Sequence, residues 1–124
     1  MKRQLVVITH GYFGKEMIRS AEMIIGKMED VKSFSLEPDM DPIGFIDSIK
    51  ESMVEVHENT VYLVDLFGGT PFHAGTYLVK SHGGKLVTGL NISLLIEVYT
   101  SLQNEDFDLS QIVDGIKDSI QIVE

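Results

Sequence analysis

Val61-Tyr62-Leu63-Val64-Asp65-Leu66-Phe67-Gly68-Gly69-Thr70-Pro71 is an apolar run that stops at a carboxylate, turns through a glycine pair and opens a helix. A second stretch, Leu5-Val6-Val7-Ile8-Thr9-His10-Gly11, has the same design with an imidazole at its end. Short β-branched runs without alternation are the pattern of parallel strands buried on both faces. In open α/β sheets, ligands and chemistry gather beyond the carboxyl ends of such strands. If the two strands are neighbours, His10 and Asp65 meet there. A carboxylate beside an imidazole fixes its tautomer and makes the other ring nitrogen a nucleophile.

Outward from these two stretches the pattern alternates strand and helix. Phe13, Met17, Ile18, Ala21, Ile24, Ile25 and Met28 recur at helical spacing and predict one apolar helix face, ended near Gly26. Val31 to Leu36 reads as a strand. Asp41 before Pro42 reads as an N-cap and first turn, opening a helix that should bury Ile43, Ile46, Ile49 and Met53. Thr70 is expected to cap a third helix with Pro71 at its first position, running to about Ser81. Lys85 to Thr88 is a short strand, Gly89-Leu90-Asn91 another strand-end loop, and helices follow from about Ser93 and from Asp108. The tail Ser119-Ile120-Gln121-Ile122-Val123 alternates and predicts an edge strand. The expected architecture is a single α/β domain over residues 1–124. It has an open, mostly parallel sheet of about four parallel strands plus a C-terminal edge strand, with helices on both faces.

Composition narrows the function classes. Nineteen acidic against ten basic residues give a formal charge of −9, which argues against nucleic acid or an anionic membrane as partner. No window reaches the ~18 apolar residues of a membrane span. The basic start Met1-Lys2-Arg3-Gln4 is followed by only four apolar residues, too few for a signal peptide. Cysteine is absent, which removes thiolate chemistry, and a cytoplasmic location is expected. No HxH, HExxH or other ligand spacing points to a metal, and neither a phosphate loop with lysine nor a serine elbow occurs. The reading implies no cofactor.

His10 at the end of an apolar strand should emerge at the rim. The bland alternative is a loop histidine satisfied by a carbonyl, but Gly11 and Gly14 allow a sharp turn that aims helix-start amides at the ring. Asp65 would be costly at a buried strand end unless paired; its bland role is to accept backbone N–H bonds in the next turn. Gly68, Gly69 and Thr70, leading into a helix, supply amides and a hydroxyl for an anion. Together these groups describe a histidine that carries a phosphoryl group, with Gly11, Gly68, Gly69 and Thr70 as its candidate binding loops. Thr9, Phe67, His73 and Asn91 are candidates for the layer around them. His73, one turn into the third helix, either supports the site or is ordinary surface. His57 sits in the charged stretch Val54-Glu55-Val56-His57-Glu58-Asn59 and is expected at the surface; His82 belongs to a helix-ending turn.

Val6-Val7-Ile8-Thr9-His10-Gly11, Ser20-Ala21-Glu22-Met23-Ile24-Ile25-Gly26, Val64 through Phe72, and Gly89-Leu90-Asn91 resemble the enzyme IIA component of the mannose family of the bacterial sugar phosphotransferase system. The resemblance runs from Gln4 to about Leu102. It implies a phosphotransferase that takes a phosphoryl group from the carrier HPr on the Nε2 atom of His10. Asp65 would hold Nδ1, and the group would pass to an enzyme IIB, serving membrane IIC and IID components indirectly. It also implies a homodimer, with a C-terminal strand sometimes exchanged. Leu94, Leu95, Val98 and Leu102 look like more apolar surface than one small sheet needs, which points the same way. Two departures from the family pattern bear on which sugar is served: His73 stands where asparagine is common, and Ile92-Ser93 where Leu-Pro is frequent. The same residues fit a phosphoryl relay to dihydroxyacetone kinase, a regulatory enzyme IIA-like module, or a flavodoxin-like binding domain in which His10 is incidental.

Overall fold

Four parallel strands form one sheet in the order β2-β1-β3-β4: β1 (Gln4–His10), β2 (Val31–Leu36), β3 (Thr60–Val64) and β4 (Lys85–Val87). The computed structural model describes residues 2–53, 55 and 57–124; Met1 of the basic start, and Val54 and Val56 of the charged stretch, lie outside them. Between the strands run α1 (Phe13–Ile25), α2 (Pro42–Ser52) and α3 (Gly69–His82), and after them α4 (Ile92–Ser101) and α5 (Leu109–Lys117).

Two apolar layers hold the sheet. Leu5 and Val7 of β1 and Val61 and Leu63 of β3 pack with Ala21 of α1, with Leu94, Leu95 and Val98 of α4, and with Leu102 and Leu109. Val6, Ile8, Tyr62 and Val64 point the other way, onto Phe45 and Ile49 of α2 and Ala74 and Leu78 of α3. The two-residue period of a strand makes this sorting automatic. It also decides where the site lies. The connection after β1 goes to one face and the connection after β3 to the other, so a crevice opens between the carboxyl ends of these neighbouring strands.

Several expectations need correction. The tail forms no strand: after α5 the chain is held only by turn bonds such as Ser119 N–H to the Ile116 carbonyl, and Ile120, Ile122 and Val123 are exposed. A strand needs a partner ladder, and a lone alternating segment has none. Leu94, Leu95, Val98 and Leu102 are all buried in this chain's own core, so they leave no surplus surface. In α2, Phe45 is buried and Ile43 is 73% exposed; two positions apart on a helix means nearly opposite faces. In α1, Phe13 and Ile24 stand largely in solvent, and Met28 is buried only beyond the helix end.

Candidate functional site

β1 ends at His10 and β3 at Val64, with Ile8 in register with Val64, so Asp65 is the first residue beyond its strand. The Oδ2 of Asp65 accepts the His10 backbone N–H at 2.8 Å and lies 2.9 Å from His10 Nδ1. Its Oδ1 accepts the Leu66 N–H at 3.1 Å. The carboxylate is 11% exposed and the imidazole 48%. An ionised carboxylate can only accept, so Nδ1 carries the ring proton and the Nε2 lone pair faces outward.

The ring's other edge meets the start of α3. Gly68 and Gly69 both have left-handed φ, +90° and +81°. A Cβ on Gly69 would stand 3.1 Å from His10 Cε1 and 3.3 Å from Nε2. A side chain there would suffer both strain and a clash, and glycine lets the helix begin against Nε2. Helix starts carry unpaired N–H groups and positive partial charge, which suits an anion on that nitrogen. The helix begins two residues earlier than the sequence implies: Gly68 is the N-cap, and Thr70, half-buried in the first turn, makes no capping bond.

Gly11 turns the chain at φ +56°, and its N–H donates to the Leu36 carbonyl at 2.7 Å, so that amide is engaged with β2. Thr9 is fully buried. Its hydroxyl donates to the Gly11 carbonyl at 3.2 Å and accepts the Gly14 N–H at 2.9 Å. It thereby caps α1 from the strand, since the N-cap residue Tyr12 makes no side-chain cap. Asn91 caps α4 through the Leu94 N–H at 2.9 Å and donates to the Gly89 carbonyl at 3.2 Å; its turn is tied to the end of β3 by the Leu90 N–H to the Val64 carbonyl. Phe67 is exposed and its ring packs 4.7 Å from that of Phe72. His73 is exposed, its ring edge-on to Phe72 at 5.4 Å.

The other two histidines lie elsewhere. His57 is half-buried, not a free surface group: its Nδ1 accepts the Asn59 N–H at 2.9 Å and its Nε2 is 2.9 Å from the Gln4 amide, at the amino ends of the strands. His82 closes α3, beside Lys80 in its last turn.

Beside Phe67, which sequence reasoning named, the crevice is flanked by Tyr12, Phe13, Leu66 and Glu37, which it did not place there. Tyr12 donates to Glu37 at 2.5 Å, fastening the loop after β1 to the one after β2. That bond, then the Glu37 charge, pushes the phenol above its ordinary pKa. Tyr12, Phe13, Leu66 and Phe67 are exposed in the loops and at the helix start that flank His10 and Asp65. Bulky apolar residues beside the glycine turns were the available signal.

A doubly wound parallel sheet with a His–Asp pair and a glycine-led helix start at its switch point defines a class of small α/β proteins with chemistry at the strand ends. Residues 4–116 match the family model described as the PTS system fructose IIA component, and the chain belongs to that family, the mannose-type enzyme IIA components of sugar uptake by the phosphotransferase system (PTS). The mannose-specific EIIAB component of Escherichia coli is 29% identical over 97 residues, covering 75% of this chain and 30% of that protein. The chain thus spans about a third of that relative's length. The sorbose-specific EIIA component of Lacticaseibacillus casei is 27% identical over 124 residues, 91% of this chain and 82% of that protein. Among solved structures, the PTS IIA protein associated with the fucose utilization operon of Streptococcus pneumoniae superposes with a TM-score of 0.85 at 26% identity, over 98% of this chain and 93% of its own. The EIIA component from Streptococcus agalactiae, 24% identical, shares the fold with a TM-score of 0.85 over 96% of this chain and 95% of its own. Among the described residues no helix is long and apolar enough to cross a membrane.

Proposed function

We propose that His10 is a phosphoryl carrier: its Nε2 accepts a phosphoryl group from phospho-HPr and passes it to an enzyme IIB in the cytoplasm. The carrying observation is the double contact of Asp65 Oδ2, on the His10 amide and on Nδ1, with Nε2 left facing Gly69. In transfer, the Nε2 lone pair forms the bond to phosphorus while the bond to the donor's ring nitrogen breaks, its electron pair returning to that ring. The Nδ1 proton stays, so the His10 ring becomes cationic and Asp65 balances the new charge. Gly68, Gly69 and Thr70 supply donors to the phosphoryl oxygens, while Gly11 sets the turn. Passing the group on reverses these bond changes. The exposed side chains of Tyr12, Phe13, Leu66 and Phe67 give a docked partner an apolar rim that excludes water during transfer.

Incubation with enzyme I, HPr and phosphoenolpyruvate, read by intact mass, tests this. The expected result is a single acid-labile phosphoryl adduct, absent from a His10→Ala protein that still folds. An adduct retained in that variant would overturn the assignment.

A further inference from the structure

We propose that His73 contacts the phosphoryl group on His10, taking up a proton as the group arrives, so that occupancy of the site depends on pH. The inference rests on His10 being the carrier. Gly69 lies against His10 Nε2, and His73 is four residues further along α3, hence on the same line of the helix. Positions four apart on a helix have Cβ atoms about 5–6 Å apart. Helical side chains lean toward the N-terminus, so the surface His73 covers lies over the turn that begins at Gly69. The aromatic row supports that direction. The His73 ring sits against Phe72, which sits against Phe67 of the loop that follows Asp65. His73 is exposed, so its ring is free to turn onto a phosphoryl oxygen.

The charges around it leave the phosphoryl group as the partner. The first turn of α3 holds no acidic residue. From β3, Asp65 is engaged with His10. From α2, Lys50 reaches Tyr77, one turn beyond His73, while Asp47 and Glu51 lie on the exposed side of that helix. Lys80 and His82 occupy the last turn of α3, and Lys85 of β4 starts its strand at the opposite end of the sheet. A cation at a helix N-terminus is disfavoured alone and favoured once a dianion sits there. Binding linkage is reciprocal: if the phosphoryl group promotes protonation of His73, protonation of His73 favours the phosphorylated state. That benefit is present at the acid side of the histidine range and lost as pH rises through it.

The experiment phosphorylates the isotope-labelled protein with phosphoramidate, which needs no protein donor, and locates the group by peptide mapping. The ring signals of His73 are then titrated by NMR with and without the group. The expected result is an upward move of the His73 titration midpoint by about one pH unit, a roughly tenfold gain in proton affinity. His73→Asn should shorten the lifetime of the phosphorylated form at pH 6 and flatten its pH dependence. His73→Lys should keep the longer lifetime at both pH 6 and pH 8, which a merely structural role would not do. A midpoint moving by less than about 0.2 units, with His10 phosphorylated, overturns the His73 contact alone. Failure of His10 to take the group from either phosphoramidate or phospho-HPr, or its appearance on His73 instead, overturns both readings.

Discussion

Asp65 does three things at one position. It closes the turn after β3 through Leu66, anchors the His10 backbone, and holds Nδ1. Asparagine has one accepting oxygen where Asp65 uses two, so it keeps either the Leu66 bond or the His10 contacts but not both, and its charge is gone. The cationic ring formed during transfer then lacks a counter-charge in a site only 11% exposed at the carboxylate. Asp65→Asn is therefore expected to slow transfer from phospho-HPr by about a hundredfold, about 2.7 kcal/mol of barrier, with an unchanged circular dichroism spectrum. Rates within about threefold of the parent would make the carboxylate a structural group only.

The strand–helix corner β1–α1 is built around a contact between elements. Gly14 carries no side chain because β1 runs directly beneath it: a Cβ there would lie 2.7 Å from Val7 Cγ1 and 3.0 Å from Thr9 Cγ2. Alanine would gain about 1 kcal/mol of helix propensity and lose more to overpacking, which costs about 1–3 kcal/mol in a tight core. It would also push on Thr9, whose hydroxyl holds the Gly11 carbonyl and the Gly14 amide. Gly14→Ala should lower the melting temperature by several degrees and reduce phosphoryl transfer beyond what the stability loss explains. Calorimetry beside transfer rates at a temperature where both proteins are fully folded checks this. An unchanged melting temperature and rate would show that the corner can relax.

At the scale of the molecule, both faces of the sheet are covered from within this chain, and the exposed apolar side chains lie in the strand-end loops, on the outer faces of α1, α2 and α3 (Met23, Ile24, Ile43, Tyr77) and in the tail. Ile120, Ile122 and Val123 are each more than 80% exposed. The argument for a homodimer therefore rests on the tail, since α4 is fully used in the core. An alternating segment that pairs with a sheet edge of a second copy would bury these residues and shield that edge. Light scattering at micromolar concentration should return about twice the 13.9 kDa chain mass, and deletion after Asp118 should lower it. A monomeric mass for the whole chain would overturn assembly while leaving the His10 chemistry intact, because His10 and Asp65 meet within one subunit.

What the sequence determined by itself is local. Asp41 before Pro42 and Asp108 each cap the helix they announce, because a side-chain oxygen three residues from an unpaired amide needs no tertiary help; Asn91, read as a strand-end loop residue, caps α4 in the same way. The apolar runs ending at His10 and Asp65 are strands, because their β-branched residues fit only a sheet buried on both faces. What tertiary structure decided is which elements meet and which faces they hide. His10 and Asp65, 55 positions apart, close to 2.9 Å only because β1 and β3 pair directly. Phe45 rather than Ile43 is buried because α2 is rotated by its contact with the sheet, which helical spacing alone leaves free. Gly69 matters because His10 arrives from another strand, and within its own chain the tail is unpaired because alternation specifies a face but supplies no partner.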